Sequence, residues 1–293
     1  MTTPLIILGC GYIGDRLARS ALAAGRTVRV LARSTGRLAP LGALGAQVKY
    51  VDAAVPKQLP VALSGLSGAT VVYSIPPVAA LPPGNAMRAA LQAAYGGGAS
   101  CFIHFSSSGL YGDKPDDDVW VDEETPLAHD DKAMQNVASD EEAVMKTELD
   151  RLRTVILRLA PVYGAGKGMR ARLRKGDYKI LGDGSHAISR IHIDDVVRVV
   201  NAVEDRAPSR SLFLVADDEP TTQGDYAKWL TDRMGIPMPP SRDLYQPGGQ
   251  RVAHRNRRIR NTRLKTTLGI ELLYPTFREG EAAIEAEEAA AGG

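Results

Sequence analysis

Leu5-Ile6-Ile7-Leu8-Gly9-Cys10-Gly11-Tyr12-Ile13-Gly14-Asp15-Arg16-Leu17-Ala18 joins an apolar strand, a G-x-G-x-x-G turn and a helix start without a spacer. Such a turn sets a pyrophosphate on free backbone N–H groups at a helix N-terminus. Gly9 permits the tight turn, Gly11 lets the backbone approach the phosphates, and Gly14 lets the helix pack closely on the strand. Tyr12 and Ile13 complete the same cofactor-binding turn. The stretch identifies what the chain holds, a dinucleotide, more firmly than what it does with it.

Working outward, strand-like and helix-like runs alternate. Strands are predicted at 5–8, 27–32, 48–51, 69–75, 101–105 and 153–159, and helices at 14–24, 84–95 and 136–150. This rhythm predicts an α/β fold, a Rossmann-type doubly wound parallel sheet. Ligands of such sheets lie beyond the C-terminal ends of the strands, so strand-end residues are where chemistry is expected. After about residue 165 the rhythm breaks into short elements, with helices at 194–204, 222–234 and 276–290, a strand at 211–215 and a loop from Pro237 to Gly249. Residues 1–165 therefore read as the dinucleotide-binding domain. Residues 166–293 read as a smaller C-terminal substrate-binding cap, interleaved with the first.

Composition narrows the function classes. Of 293 residues, 44% are hydrophobic and 24% charged, which suits a packed core and not disorder. A net charge of +2 is too small to suggest nucleic acid. No apolar run reaches the roughly 18–20 residues of a membrane span. Met1-Thr2-Thr3-Pro4 lacks a basic leader region, so the apolar run after it reads as a strand and not a signal peptide. Cys10 and Cys101 are not expected to form a disulfide, and a cytoplasmic location fits. The five histidines and two cysteines show no metal-ligand spacing, so no metal is expected.

Further segments follow in order: Asp52 closing the third strand, Ser106-Ser107-Ser108-Gly109-Leu110-Tyr111-Gly112, Arg158-Leu159-Ala160-Pro161-Val162-Tyr163-Gly164, and Arg190-Ile191-His192-Ile193-Asp194-Asp195. Together they resemble the extended and atypical short-chain dehydrogenase/reductases, the group containing the NAD-dependent epimerase/dehydratases of nucleotide sugars. The resemblance covers nearly the whole chain and is more specific for fold than for reaction. It implies that Asp52 contacts the adenine amino group and that Pro76, at the end of the fourth strand, lies at the cofactor. The alternative for Asp52 is a cap on the following turn.

Cofactor choice turns on the second strand. NAD-preferring sites end it with an acidic residue on the ribose hydroxyls. Here it ends Ala32-Arg33-Ser34, with Arg37 nearby, and a guanidinium suits a 2′-phosphate. NADP is therefore the expected cofactor. The competing reading of Arg33 is a solvated surface charge.

The resemblance implies a Tyr-x-x-x-Lys pair for proton chemistry and a serine that polarises the reacting oxygen. Ser107, four residues before Tyr111, has the family's serine spacing. The other reading of Ser106–Ser108 is a polar turn. The dyad has no evident counterpart. Matching the family's helix glutamate to Glu142 puts Ala138 and Met134 at the lysine and tyrosine positions. Matching it to Glu141 gives Val137 and Ala133. His129, Asp131 and Lys132 are nearby substitutes, each more simply a solvated loop residue. Tyr163, in a segment the resemblance puts near the nicotinamide, is the other catalytic candidate, with packing as its alternative role.

Arg158 is expected to be structural or near the cofactor, and His192 a core or cap residue. Arg190 is placed to meet an anionic substrate. The block Arg251, Arg255, Arg257, Arg258, Arg260 and Arg263 reads as a solvated face, or as a patch for substrate or a second subunit. The functional expectation is an NADP(H)-dependent oxidoreductase or epimerase-like enzyme acting on a small carbonyl, hydroxyl or sugar-like substrate, possible as a homodimer. Its rivals are a cofactor-binding sensor or scaffold without redox turnover, and a non-redox enzyme reusing the crevice.

Overall fold

The computed structural model describes residues 3–113, 119–128, 132–245 and 256–292. Seven strands form one parallel sheet: β1 (Leu5–Leu8), β2 (Val28–Ala32), β3 (Gln47–Tyr50), β4 (Thr70–Tyr73), β5 (Cys101–Ser107), β6 (Arg153–Leu159) and β7 (Ser211–Val215). Their order is β7-β6-β5-β4-β1-β2-β3, a Rossmann-type arrangement that reverses between β1 and β4. All four residues of β1 are buried, because helices cover a parallel sheet on both faces. The edge strand β3 is mostly exposed and carries Lys49, a charge that discourages pairing with another chain.

The longer helices are α1 (Tyr12–Ala23), α2 (Asn85–Gly96), α3 (Lys132–Lys146), α4 (Ile193–Arg206), α5 (Gln223–Met234) and α6 (Phe277–Gly292). The helix expected at 136–150 thus starts and ends four residues earlier. The Thr147 hydroxyl donates to the Ala143 carbonyl at 2.6 Å, a side-chain bond that competes with another helical turn. Within the stretch expected as a loop from Pro237, Ser241–Arg242 pairs in parallel with Ile180–Leu181. Residues 246–249 of that loop lie outside the described residues.

The chain forms two compact units. Unit 1 comprises Met1–Leu110, His129–Arg158 and Val196–Phe213; unit 2 comprises Tyr111–Ala128, Leu159–Asp195 and Leu214–Gly293. The chain crosses between them several times, so no single cut near residue 165 separates them. Unit 1 is built on an apolar core that includes Leu8, Leu63, Tyr73, Met87, Leu91 and Phe102. Unit 2 has its own cluster around Tyr163, Tyr226, Leu230 and Phe277.

Within unit 1, α2 packs on α3 and α3 on β5. Tyr73 of β4 and His104 of β5 are paired in register, with ring centroids 5.9 Å apart. His104 is buried, and neither ring nitrogen has a hydrogen-bond partner. Burial pushes its pKa down to about 4, partly offset by the Tyr73 backbone. Asp140 of α3 is also buried, and burial raises its carboxyl to about 6, partly offset by Arg88.

These two groups act oppositely on stability. His104 stays neutral in the fold, so its contribution is lost as pH falls from the ordinary histidine range toward about 4. Asp140 holds its proton up to about 6, so its burial becomes less costly over much of the same fall. Each effect is at most about 3 kcal/mol, and they largely cancel. Urea denaturation of Asp140→Asn at neutral and mildly acid pH is expected to show stability falling on acidification more steeply than in the unaltered chain. His104→Phe is expected to show the reverse.

Candidate functional site

The reversal of strand order leaves a crevice beyond the C-terminal ends of β1 and β4, where open α/β sheets bind ligands. A cleft of about 910 Å³ occupies it, walled by the Gly9–Gly11 turn, the end of β2, Val51–Ala54 and the Ser74–Ala80 segment. All of these residues belong to unit 1.

The three glycines of the turn prove unequal. Gly9 has φ +90°, and a Cβ there would sit 2.8 Å from the Ser74 backbone and from Ile75 Cγ1. A Cβ on Gly14 would meet Ile7 Cγ2 at 3.1 Å and Cys10 Sγ at 3.3 Å, so this glycine sets the spacing of α1 from β1. A Cβ on Gly11 would meet nothing within 4 Å. No atom of the described residues requires a glycine there, and the space beside it opens toward the cleft that Gly11 lines. Gly11 is also the N-cap of α1, with no side chain closing that end. A backbone cradle at an uncapped helix N-terminus beside open space fits a dinucleotide pyrophosphate. Cys10, buried in the turn, has its thiol pushed up to about 12 by burial and by the Asp15 charge, so it remains a neutral packing group.

Arg33 and Arg37 are exposed and line the cleft with Ser34. Neither forms an ion pair or hydrogen bond among the described residues. Asp52 lines it too, but Asp52 Oδ1 accepts the Ala54 N–H at 2.9 Å, while its own N–H donates to Gln58 Oε1 at 3.0 Å. The carboxylate thus caps its turn and faces the cleft at once. Pro76 also lines the cleft. Tyr12 and Ile13 open α1, half-buried, and are not part of the cleft wall.

The three serines after β5 also divide by role. Ser106 is buried and donates to Glu141 Oε1 at 2.5 Å; Glu141 in turn pairs with buried Arg158, Nη2 to Oε2 at 2.7 Å. Arg158 is therefore structural. Of the two glutamates considered for aligning α3, Glu141 is held inside, and Glu142 sits on the surface paired with Lys146. Ser107 is half-buried and its Oγ accepts the Gly109 N–H at 3.0 Å, a polar-turn contact that leaves the hydroxyl proton uncommitted. A Cβ on Gly109 would lie 2.8 Å from Met134 Sδ and 3.0 Å from Ser107 Oγ, so the side chain that α3 brings to this turn is a methionine. Lys132 is exposed at the start of α3, and His129 and Asp131 lie outside the described residues.

Tyr163, in unit 2, is 3% exposed, and its hydroxyl is buried without a hydrogen-bond partner, tight against Gly280 of α6. Burial, reinforced by Asp217, pushes its pKa up, which makes it a poor proton donor as it stands. Sequence reading passed over the fact that Tyr163 and Lys167 spell Tyr-x-x-x-Lys. The intervening residues form a tight turn, with the Lys167 N–H donating to the Gly164 carbonyl at 2.9 Å, so the two side chains do not share a helix face. His192 is buried between Tyr163 and Tyr274, with Nδ1 accepting the Asp194 N–H at 3.2 Å, which makes it a core and cap residue. The Arg190 guanidinium is buried over the Tyr226 ring at 4.1 Å.

The arginine block divides: Arg260 and Arg263 are exposed, as a solvated face would be, while Arg257 is buried. Arg257 is buried and donates to the Gly112 carbonyl, Arg260 lies 5.8 Å from the Trp120 ring, and Arg263 pairs with Glu124 at 2.5 Å. Their partners lie in another segment of unit 2, far away in sequence, which local charge counting does not see. Arg251 and Arg255 lie outside the described residues. Among the described residues, no acidic, histidine or cysteine cluster is placed to hold a metal, and no helix is long and apolar enough to cross a membrane.

The family model of the NAD dependent epimerase/dehydratase family matches residues 5–213. No curated protein matches the chain in sequence. Among solved structures, a conserved Silicibacter pomeroyi protein of unknown function is 26% identical, with a TM-score of 0.80 over 98% of this chain and 99% of that one. A Methylobacillus flagellatus protein named as a candidate NAD-dependent epimerase/dehydratase is 27% identical, with a TM-score of 0.74 over 99% and 100%. The fold is also that of a Streptomyces venezuelae dTDP-glucose 4,6-dehydratase double mutant solved with NAD and DAU bound, at 19% identity and a TM-score of 0.79 over 97% and 95%.

The glycine geometry separates positions needed by the fold from the position left open. Gly9→Ala is expected to cost about 2 kcal/mol or more, through its positive φ and its contact with the β4 end. Gly11→Ala is expected to change stability by no more than about 0.5 kcal/mol. Urea titrations of the two variants check this; similar losses for both would show that Gly11 is also held by the fold.

Proposed function

The chain belongs to the NAD-dependent epimerase/dehydratase family, and from that premise we propose that it binds NADP(H) in the β1–β4 cleft and acts on a small carbonyl, hydroxyl or sugar-like substrate. The observation that carries the cofactor reading is the pair Arg33 and Arg37: two cations in the cleft wall at the end of β2, without acidic partners, where an NAD-preferring site has a carboxylate. A 2′-phosphate would supply the missing counter-charge. The Gly9–Gly11 backbone would hold the pyrophosphate, and Asp52 and Pro76 would flank the rest of the cofactor in the same cleft. The bound cofactor would supply hydride-transfer chemistry, and the residues of this cleft would hold and orient it.

The chain's own contribution is binding and orientation. Ser107, with its hydroxyl proton uncommitted, would donate to the reacting oxygen. Taking Glu141, the buried glutamate, as the anchor of α3 puts Ala133 and Val137 at the tyrosine and lysine positions of the family pattern. Neither moves a proton, so the proton would come from water or from a group brought by the substrate. The same two residues favour a second reading, a cofactor-bound sensor or scaffold without turnover.

Fluorescence titration with NADPH and NADH tests the cofactor assignment. Arg33→Ala is expected to weaken NADPH binding about tenfold and leave NADH binding nearly unchanged. Gly11→Ala is expected to weaken both nucleotides alike. Equal losses for both nucleotides in Arg33→Ala would refute the 2′-phosphate assignment, and failure of the unaltered chain to bind either would refute the cofactor reading. Tight NADPH binding with no nicotinamide absorbance change across a broad carbonyl panel would select the second reading.

A further inference from the structure

A second cavity lies beside the cofactor cleft, wholly within unit 1, with a volume of about 310 Å³. The Pro77–Ala79 segment is a wall of both cavities, so one strap of chain separates them. Pro77, Val78, Leu81, Pro82 and Ala86 give the second cavity an apolar lining. Its polar side comes from one stripe of α3: Lys132, Asn136 and Asp140, spaced four residues apart and therefore stacked on one helix face.

Asp140 is the feature the fold leaves unexplained. It is 3% exposed, lines the cavity, and has neither a hydrogen bond nor an ion pair among the described residues. Buried carboxylates are ordinarily paired. The nearest cation from a neighbouring helix, Arg88, is engaged with the Pro83 carbonyl at 3.1 Å and with Asn85 Oδ1 at 2.5 Å. The raised carboxyl pKa, about 6, marks the same deficit, and still leaves the group mostly ionised at neutral pH. Nothing in the proposed nucleotide chemistry uses this residue.

We propose that the second cavity binds a small molecule carrying a protonated amine on an apolar body, with Asp140 as its counter-charge and Asn136 as a neighbouring hydrogen-bond partner. An ammonium in contact with Asp140 would replace the missing partner in a low-dielectric setting, where a charge-assisted hydrogen bond is strong. The aliphatic and proline walls suit the apolar part. An anionic ligand would face the Asp140 charge, and a metal would find one carboxylate among apolar walls. The cavity, with space for about ten waters, is larger than a single buried water needs and falls at the small end of ligand sites.

Calorimetric titration of the full chain with 2-phenylethylamine, and with 2-phenylethanol as its neutral counterpart, tests the proposal. The expected result is saturable one-to-one binding of the amine, with binding about tenfold weaker for the alcohol and for the amine on Asp140→Asn. Asn136→Leu, at a half-buried position, is expected to weaken the amine as well; it decides the matter together with the alcohol if Asp140→Asn does not fold. No binding of the amine, equal binding of amine and alcohol, or undiminished binding to a folded Asp140→Asn would overturn the proposal. The readout needs no nucleotide. A chain that binds the amine but neither NADPH nor NADH refutes the cofactor reading and leaves this one standing.

Discussion

The approach of the Gly9 turn to the end of β4 is the constraint on which the cofactor cleft depends. The turn comes so near the Ser74 backbone that a single methyl group would have no room, and its backbone takes a φ that L side chains rarely adopt. That contact lies at the point where the sheet reverses its order, so the two chains that must diverge to open a crevice are first held together at its base. From there α1 leaves in one direction, its spacing from β1 set by Gly14, and the Ser74–Ala80 segment leaves in the other. The open space beside Gly11 is a consequence of this geometry.

What the sequence revealed and what it hid follow from the range of the interactions concerned. β1, the glycine turn and α1 are legible because strand, turn and helix start are neighbours in the chain and each has a local pattern. β6 and β7 were legible for the same reason, as apolar runs at 153–159 and 211–215. The site at Ser107 was only half legible. Its spacing to Tyr111 marked the position, but the division of labour between Ser106 and Ser107 depends on Glu141 and Arg158, from two other elements. In the arginine block, the burial of Arg257 and the partners of Arg260 and Arg263 were hidden because Gly112, Trp120 and Glu124 lie in a distant stretch of chain. Asp140 gave no sequence signal, since an aspartate on a polar helix looks solvated until the packing of α2 and α3 is known.

The polar groups under α3 form two different kinds of buried chemistry. Ser106, Glu141 and Arg158 form a closed network in which the carboxylate accepts from both neighbours. Removing Glu141 or Arg158 would strand the other's charge, at a cost of about 3–5 kcal/mol, whereas removing Ser106 would leave the ion pair in place. Such a network fixes the rotation of α3 about its axis, because a shift of one residue would carry Glu141 away from Arg158 and could bring the surface residue Glu142 inward in its place. One residue away, Tyr73, His104 and Asp140 form an open set, with ring nitrogens, a hydroxyl and a carboxylate that have no hydrogen-bond partner among the described residues. The closed set holds the helix where it is, and the open set is left over by that placement.

This distinction bears on how an enzyme of this family loses or replaces its proton donor. On the proposed alignment, the helix keeps its anchoring glutamate while Ala133 and Val137 stand where the acid and base belong. The fold tolerates that exchange because the anchor, and not the dyad, supplies the burial and charge pairing that position α3. A side chain facing a cleft contributes little to packing and is free to change with the chemistry. The cradle at Gly11 is under the same freedom, since no described residue requires its glycine. On the proposed reading, a Gly11 that no described residue requires, beside two arginines without acidic partners among the described residues, would be accounted for by a ligand with a diphosphate and a further negative charge, whichever reaction follows binding.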